Sequence, residues 1–173
     1  MTSRDLEIID FLSDYKIATT SVLCHFFFNS IHSCYKVLHR LTESGHIKRM
    51  KIIEGSQNCE YAYYLKKPPA QFKHSLMLID FYSKWDKKEN VTMFDTQKKL
   101  GSIIPDAIMQ CKNKTYLVEI ELSNKGFNYM KYEKFYISGE YKSYFSEMPT
   151  VLIYGNTTIP NNTMVRYRIF TRK

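Results

Sequence analysis

Three carboxylates, Asp106, Glu119 and Glu121, lie in a stretch whose residue types are typical of a buried β-hairpin. The runs of residues 103–109 and 115–122 are the two predicted strands. Because side chains alternate along a strand, Glu119 and Glu121 are expected on one face, roughly 7 Å apart. Carboxylate oxygens with this spacing suit a hard divalent cation such as Mg²⁺ or Mn²⁺. The hairpin therefore predicts a cluster of acidic side chains with the chemistry of a cation site.

The presence of these acids also has an explanation that involves no function. On the solvent face of a half-exposed strand, Glu119 and Glu121 would repel each other by only about 0.2–1 kcal/mol. In a sheet covered on both faces, however, carboxylates are costly unless cations pair with them or they are protonated. His74, in a predicted buried helix, is a candidate partner in that case. The sequence leaves both arrangements open.

Pro105–Asp106, followed by a turn and by Glu119-x-Glu121, resembles the core motif of the PD-(D/E)xK nuclease superfamily. The resemblance implies that Asp106 and Glu119 bind the metal ion, and that Asp106, Glu119 and Glu121 are the catalytic residues. The lysine of the motif is absent, since Glu121 stands in its place. That lysine normally stabilises charge on the attacked phosphate or helps to orient the attacking water.

A lysine from outside the motif is a candidate replacement, and Lys125, Lys131 and Lys134 follow the second strand on long flexible side chains. Two hypotheses stay open. In the first, the acids hold Mg²⁺ or Mn²⁺ for phosphodiester hydrolysis, with Glu121 as third ligand or water-orienting base. In the second, which we favour, the fold is that of a nuclease that has lost its activity, and its acids form a polar or partner-binding surface.

The 173-residue chain has a net charge of +8, with 25 Lys and Arg against 17 Asp and Glu. Such an excess favours an anionic partner. Nucleic acid is the leading one, because phosphates attract clustered cations irrespective of base sequence. A generic basic surface explains much of the charge equally well. The positions of the cations in the fold are therefore needed to choose between these two explanations.

The four cysteines, at positions 24, 34, 59 and 111, have neither metal-finger nor redox spacing. They are predicted to pack as small apolar side chains in a reducing compartment. Residues 1–5 lack the pattern of an export signal, and charges interrupt every apolar run before membrane-spanning length. We expect a cytoplasmic protein with no membrane partner.

The pair Pro68–Pro69 marks the clearest boundary, because proline continues neither a helix nor a strand ladder. It separates two predicted domains, residues 1–67 and 70–173. Capping residues and apolar periodicity in the first predict three helices and a hairpin, in the order of a winged helix-turn-helix. The predicted elements are helices at about 3–14 (capped by Ser3 or Asp5), 22–28 and 30–45, strands 47–53 and 60–65, and a turn at 55–58.

The third of these helices has the pattern of a DNA recognition helix. Apolar residues at spacings of three and four are predicted to face the core: Ile31, Cys34, Tyr35, Leu38 and Leu41. Predicted DNA contacts come from its other face and from the first hairpin strand: Ser33, Lys36, His39, Arg40, Lys48, Arg49 and Lys51. Lys36 and Arg40 are placed to reach a major groove, and the strand cations to hold the phosphate backbone. A merely solvated helix face, or a winged helix that binds protein, is the alternative.

The second domain is predicted to have αβββαβ order with one added strand, which is the core topology of the nuclease superfamily. The predicted elements are helices 71–85 and 126–141 and strands 91–95, 103–110, 115–122, 150–154 and 165–171. In the longer helix, Met130 and Ile137 are among the residues predicted to cover the sheet, while Tyr132 is predicted to be exposed. The expected fold class is α/β (α+β): a winged helix-turn-helix followed by a PD-(D/E)xK nuclease-like domain.

This combination resembles the replication-relaxation family of Gram-positive plasmids and mobile elements, on residues 38–49, His74, 105–107 and 118–123. The resemblance implies a double-stranded-DNA-binding accessory protein that acts in replication, relaxation, conjugative transfer or their transcriptional control. DNA binding would require no cofactor. The second domain would form a homodimer, contact DNA further out, or recruit a relaxase or replication initiator. The alternative is a Mg²⁺-dependent endonuclease that its winged helix targets to DNA.

Overall fold

The computed structural model describes residues 1–54, 58–96, 98–122 and 126–171 as a mixed α and β chain. Residues 55–57 of the predicted hairpin turn, Ser123 of the family pattern and the candidate Lys125 lie outside the described residues. The chain divides into two compact units, Met1–Lys84 and Trp85–Lys173. The proline pair at which the sequence predicts a boundary lies earlier, shortly after the last strand of the first unit. Every helix in the described part of the chain is too short or too polar to cross a bilayer.

The first unit contains three helices followed by a hairpin, in the predicted order. Its elements are α1 (Ser3–Tyr15), β1 (Ala18–Thr19), α2 (Thr20–Phe27), α3 (Ile31–Glu43), β2 (Lys48–Glu54) and β3 (Asn58–Tyr64). Strands β2 and β3 are antiparallel neighbours, with Lys48 opposite Tyr64. The short strand β1, which was not predicted, pairs with β3 and gives the sheet order β1-β3-β2. The next helix is α4 (Phe72–Glu89), and the division between the units falls within it.

Side-chain caps determine where the first two helices begin. Thr2 is the N-cap of α1, and its hydroxyl accepts a hydrogen bond from the Asp5 backbone N. The Asp5 carboxylate accepts in turn from the Thr2 backbone N at 2.7 Å, which completes a capping box. Thr19 caps α2 by accepting from Val22 N at 3.3 Å. The prediction of Ser3 or Asp5 as the cap was therefore wrong. Thr2 is the cap because Asp5, three residues later, bonds to its backbone N and completes the capping box.

Helix α3 buries a narrower stripe than its periodicity predicted. Cys34, Leu38 and Leu41 are fully buried, as predicted. Ile31 and Tyr35, expected in the same stripe, are 49% and 50% exposed. Periodicity gives the direction of a side chain from the helix axis, but it does not say whether a neighbouring element covers that side chain.

The second unit is built on a five-stranded sheet. Its elements are β4 (Val91–Thr96), β5 (Ala107–Cys111), β6 (Lys114–Glu121), α5 (Met130–Ile137), a 3₁₀ turn (Glu140–Ser143), β7 (Thr150–Gly155) and β8 (Tyr167–Phe170). The sheet order is β4-β5-β6-β7-β8, in which β5 is antiparallel to both of its neighbours, β4 and β6, while β6, β7 and β8 are parallel. The consecutive residues Leu117, Val118, Glu119 and Ile120 of the central strand β6 are all buried. Both faces of the sheet are therefore covered at this point.

Helix α5 presents a different face to the core from the one predicted. Tyr132 and Phe135 are fully buried in a cluster that includes Leu117. Met130 and Ile137, predicted to cover the sheet, are instead 46% and 66% exposed. The prediction was wrong because apolar and aromatic residues occur on every side of this segment, so periodicity alone did not select one face.

Candidate nucleic-acid interface and acidic cluster

The polar side of α3 is open to solvent. Ser33, Lys36, His39 and Arg40 are all exposed, and we call these four residues the α3 polar face. Spacings of three and four along a helix place side chains on one side of it, so Ser33, Lys36 and Arg40 project together. The structure thus gathers the DNA-contact residues predicted on this helix into one accessible surface.

Arg40 also has a structural partner that the sequence did not reveal. Its Nη2 donates to Asp5 Oδ1 at 2.6 Å, and the Asp5 residue is fully buried while the Arg40 side chain is 51% exposed. The hydrogen bond from Arg40 lowers the pKa of Asp5 from 3.8 to about 2, and the backbone hydrogen bond from Thr2 acts in the same direction. Arg40 therefore links α3 to the start of α1, and only part of its guanidinium faces solvent.

The three cations predicted on the first hairpin strand are exposed but do not share one face. Because side chains alternate along β2, Arg49 and Lys51 project from one side and Lys48 from the other. The Arg49 guanidinium lies 4.7 Å from the centroid of the Tyr61 ring, within cation–π distance. The structure therefore separates Lys48 from the other two predicted backbone contacts.

Glu119 is the most enclosed of the three predicted acids. It is 8% exposed on β6. Its Oε1 accepts hydrogen bonds from Lys131 Nζ at 2.7 Å and from the Tyr132 hydroxyl at 2.5 Å. Burial raises the pKa of Glu119, Lys131 opposes that rise, and the Asp106 carboxylate adds to it. The hypothesis that this acid lies on an open solvent face is wrong.

Both donors to Glu119 come from the start of α5. Lys131 is one of the lysines considered as a replacement for the motif lysine, and the structure brings it to the acids, whereas Lys134 is exposed. Tyr132 was predicted to be exposed and is instead fully buried. Burial raises the pKa of Tyr132 well above its usual value, and the Glu119 carboxylate adds to the rise, so the phenol stays protonated and donates.

Asp106 lies beside Glu119 through the pairing of β5 with β6. Ala107 is opposite Val118, so Asp106 falls next to Glu119 just beyond the end of the ladder. Asp106 Oδ2 accepts a hydrogen bond from the backbone N of Ile120 at 2.8 Å. The hairpin register therefore makes these two acids neighbours, as the sequence predicted.

Glu121 ends β6 where the backbone of β7 approaches closely. It is the register partner of Gly155. A Cβ built at Gly155 would lie 2.2 Å from the Glu121 carbonyl oxygen, so the strand position requires glycine. Glu121 is partly exposed. Its side chain projects from the same face of the sheet as that of Glu119, because the two residues are two positions apart on one strand.

Glu119 forms an ion pair with Lys131 within the acidic cluster. Across residues 1–54, 58–96, 98–122 and 126–171, no three His, Cys, Asp or Glu side chains are grouped to hold a metal ion. Lys131 Nζ lies 2.7 Å from Glu119 Oε1, so the ammonium offsets the charge of this carboxylate. Asp106 Oδ2 and Glu119 Oε1 each accept a hydrogen bond from a protein donor, the backbone N of Ile120 and Lys131 Nζ respectively.

Comparison with protein-family models, curated proteins and solved structures found no significant match to this chain. The residues of the chain themselves are therefore what indicates a function. Their strongest features are the α3 polar face, the two cations on one side of β2, and the cluster of Asp106, Glu119 and Lys131.

Proposed function

We propose that this chain is a cytoplasmic, double-stranded-DNA-binding accessory protein of a plasmid or integrated mobile element. It acts in replication, relaxation, conjugative transfer or their transcriptional control, as its resemblance to the replication-relaxation family implies. The observation that carries the proposal is the exposure of the α3 polar face, to which the hairpin adds Arg49 and Lys51. Side chains of these types on a helix and an adjoining strand are suited to contact base edges and phosphates.

The distribution of charge supports this surface over a generic basic one. Residues 31–54 contain five cations, Lys36, Arg40, Lys48, Arg49 and Lys51, against two acids, Glu43 and Glu54. Residues 1–15 contain one cation, Arg4, against four acids, Asp5, Glu7, Asp10 and Asp14. Of the seven cations in residues 1–64, five therefore lie on the elements proposed to meet DNA.

The element order supports a winged helix-turn-helix as the finer description of the first unit. Three helices precede an antiparallel hairpin, and β1 adds a third strand to it. In such a module the third helix enters the major groove while neighbouring elements hold the backbone. Lys36 is the residue best placed for a duplex contact, because Arg40 is shared with Asp5.

The second unit has features that support an inactive nuclease-like scaffold. Strands β4, β5 and β6 form an antiparallel meander, α5 follows, and β7 returns parallel to β6, which is the order expected of a PD-(D/E)xK-like domain. The ammonium of Lys131 already neutralises Glu119. The tasks proposed for this unit are homodimerisation and recruitment of a relaxase or replication initiator.

Duplex binding is tested by fluorescence anisotropy with labelled double-stranded DNA over a range of salt concentrations. Lys36→Gln is expected to weaken binding and to reduce the slope of log affinity against log salt by about 0.9, the value for one phosphate contact. Lys73→Gln, which removes the same charge from an exposed position on α4, is the matched control. An unchanged slope for Lys36→Gln, or equal losses in both variants, would remove α3 from the interface.

The enzymatic alternative is tested by incubating the protein with supercoiled plasmid and Mg²⁺ or Mn²⁺. The parent protein, Asp106→Asn and Glu119→Gln are all expected to leave the plasmid intact. Nicking by the parent that either substitution abolishes would replace the accessory role with that of a metal-dependent endonuclease.

A further inference from the structure

A cleft of about 1100 Å³ lies entirely within the second unit, at the other end of the sheet from the acidic cluster. Gln110 at the end of β5, Tyr116 and Thr150 near the starts of β6 and β7, and Tyr167 at the start of β8 line it. Along β6, Glu119 and Glu121 lie three and five residues beyond Tyr116, which is roughly 10 and 17 Å of strand. The cleft therefore contains none of the residues of the α3 polar face or of the acidic cluster.

The rim of this cleft is cationic. Lys114, Arg166 and Arg168 line it and are exposed, and none of the three forms an ion pair with another described residue. Lys98 also lines it, at 3.6 Å from Asp95 outside the cleft. The cations outnumber the single acidic residue of the lining, Glu147. A ligand that carries several negative charges fits this rim.

Aromatic rings lie among these cations. Tyr116, Tyr144 and Phe145 line the cleft, and Tyr144 is 45% exposed. The Tyr144 ring is supported from behind, since it stacks on the buried Phe135 ring at 6.3 Å between centroids and 30° between planes. Phe145 packs against the core of the unit. A ring held in this way offers a fixed platform for another flat π-system.

We propose that this cleft binds single-stranded DNA, with phosphates on Lys114, Arg166 and Arg168 and a base stacked on Tyr144. Cations beside aromatic platforms bind single strands, because phosphates pair with the cations while unpaired bases stack on the rings. A duplex has its bases already stacked on one another and offers none to Tyr144. An acidic peptide would use the cations but has no need of the ring. The proposal does not depend on duplex binding by α3.

The test uses the full chain and a labelled single-stranded oligothymidine in fluorescence anisotropy. Arg166→Gln with Arg168→Gln is expected to reduce the slope of log affinity against log salt by about 1.4, the value for two phosphate contacts on a single strand. Lys87→Gln with Lys88→Gln removes the same charge from exposed positions on α4 and is the matched control, with a smaller expected change. Equal losses in the two double variants would overturn the proposal.

Stacking is tested separately with Tyr144→Leu, which keeps an apolar side chain over Phe135. The substitution is expected to weaken oligothymidine binding about five- to 150-fold, the range for losing one stacked base. Thermal unfolding of each variant checks that the second unit is folded, and Tyr144→Phe, which keeps the ring, is expected to restore binding. Failure of Tyr144→Phe to restore binding, or displacement of oligothymidine by an acidic peptide as readily as by unlabelled DNA, would also overturn the proposal.

Discussion

Lys131→Met is the substitution that most directly tests the ion pair in the acidic cluster. It removes the ammonium 2.7 Å from Glu119 Oε1 and keeps a side chain of similar length. Glu119, which is 8% exposed, then loses this ion-pair partner. Burial already raises the pKa of Glu119, and the loss of Lys131 raises that pKa further.

The size of the effect is bounded by the protonation of Glu119. An unpaired buried charge costs about 3–5 kcal/mol, but the carboxylate can take up a proton instead. From its usual pKa of 4.5, protonation at pH 7 costs at most about 3.4 kcal/mol, at 1.36 kcal/mol for each pH unit. In the parent, burial of the Glu119 carboxylate already destabilises the folded state, and that part of the cost is not new in the variant. We therefore expect Lys131→Met to lower the free energy of unfolding by about 2 kcal/mol, less than the upper bound.

The sign of the pH dependence follows from the raised pKa. A raised folded-state pKa gives a contribution to stability that is complete below the unfolded value and is lost as the pH rises through the folded value. The difference between Lys131→Met and the parent should therefore grow as the pH rises through the folded-state pKa of the parent's Glu119, which lies above 4.5. At pH 5 the upper bound on this difference, which is the cost of protonating Glu119, falls to about 0.7 kcal/mol.

Urea unfolding at pH 5 and pH 7 measures both quantities. The single Trp85 belongs to the second unit and contacts Cys111 and Tyr116, so its fluorescence reports unfolding there. Lys134→Met removes the same charge from an exposed position on the same helix and is the matched control. Adding Glu119→Gln to Lys131→Met is expected to recover most of the loss.

Two outcomes would refute this reasoning. The first is an equal loss of stability in Lys131→Met and Lys134→Met, which would show that the contact with Glu119 adds nothing. The second is a loss that stays constant between pH 5 and pH 7, which would show that Glu119 is not the group left unpaired.

Asp5→Asn is expected to lower the free energy of unfolding by about 1 kcal/mol at neutral pH, since the half-exposed Arg40 is partly screened by solvent. The pKa of Asp5 is lowered from 3.8 to about 2, so this contribution is present above pH 3.8 and is lost as the pH falls through 2, and acid unfolding curves of parent and variant should converge. Gly155→Ala is expected to cost about 3 kcal/mol or more in urea unfolding, because its Cβ would lie 2.2 Å from a backbone oxygen of Glu121. Gly45→Ala, where φ is +75° and nothing lies within 4 Å, should cost only about 1 kcal/mol, and equal costs at the two glycines would contradict the close approach.

Most of the element order could be predicted because its signals are local. Thr19 and the apolar spacing that follows it indicated α2, and the alternation of residues 115–122 indicated β6. The N-cap of α1 was placed one to three residues too late, because Ser3 and Asp5 are capping residue types as well as Thr2. The short strand β1 was missed because two residues carry no detectable periodicity, and its strand state depends on pairing with β3.

The sequence by itself determined the exposed polar face of α3 and the nearness of Asp106 to Glu119, because helical spacing and hairpin register operate over short distances along the chain. Only the tertiary structure decided which charged side chains form ion pairs. Arg40 and Asp5 are 35 residues apart, and Lys131 and Glu119 are 12 apart across a change from strand to helix. Such pairs depend on which faces of separate elements pack together, and burial then converts an ordinary acid into one that requires a cation beside it.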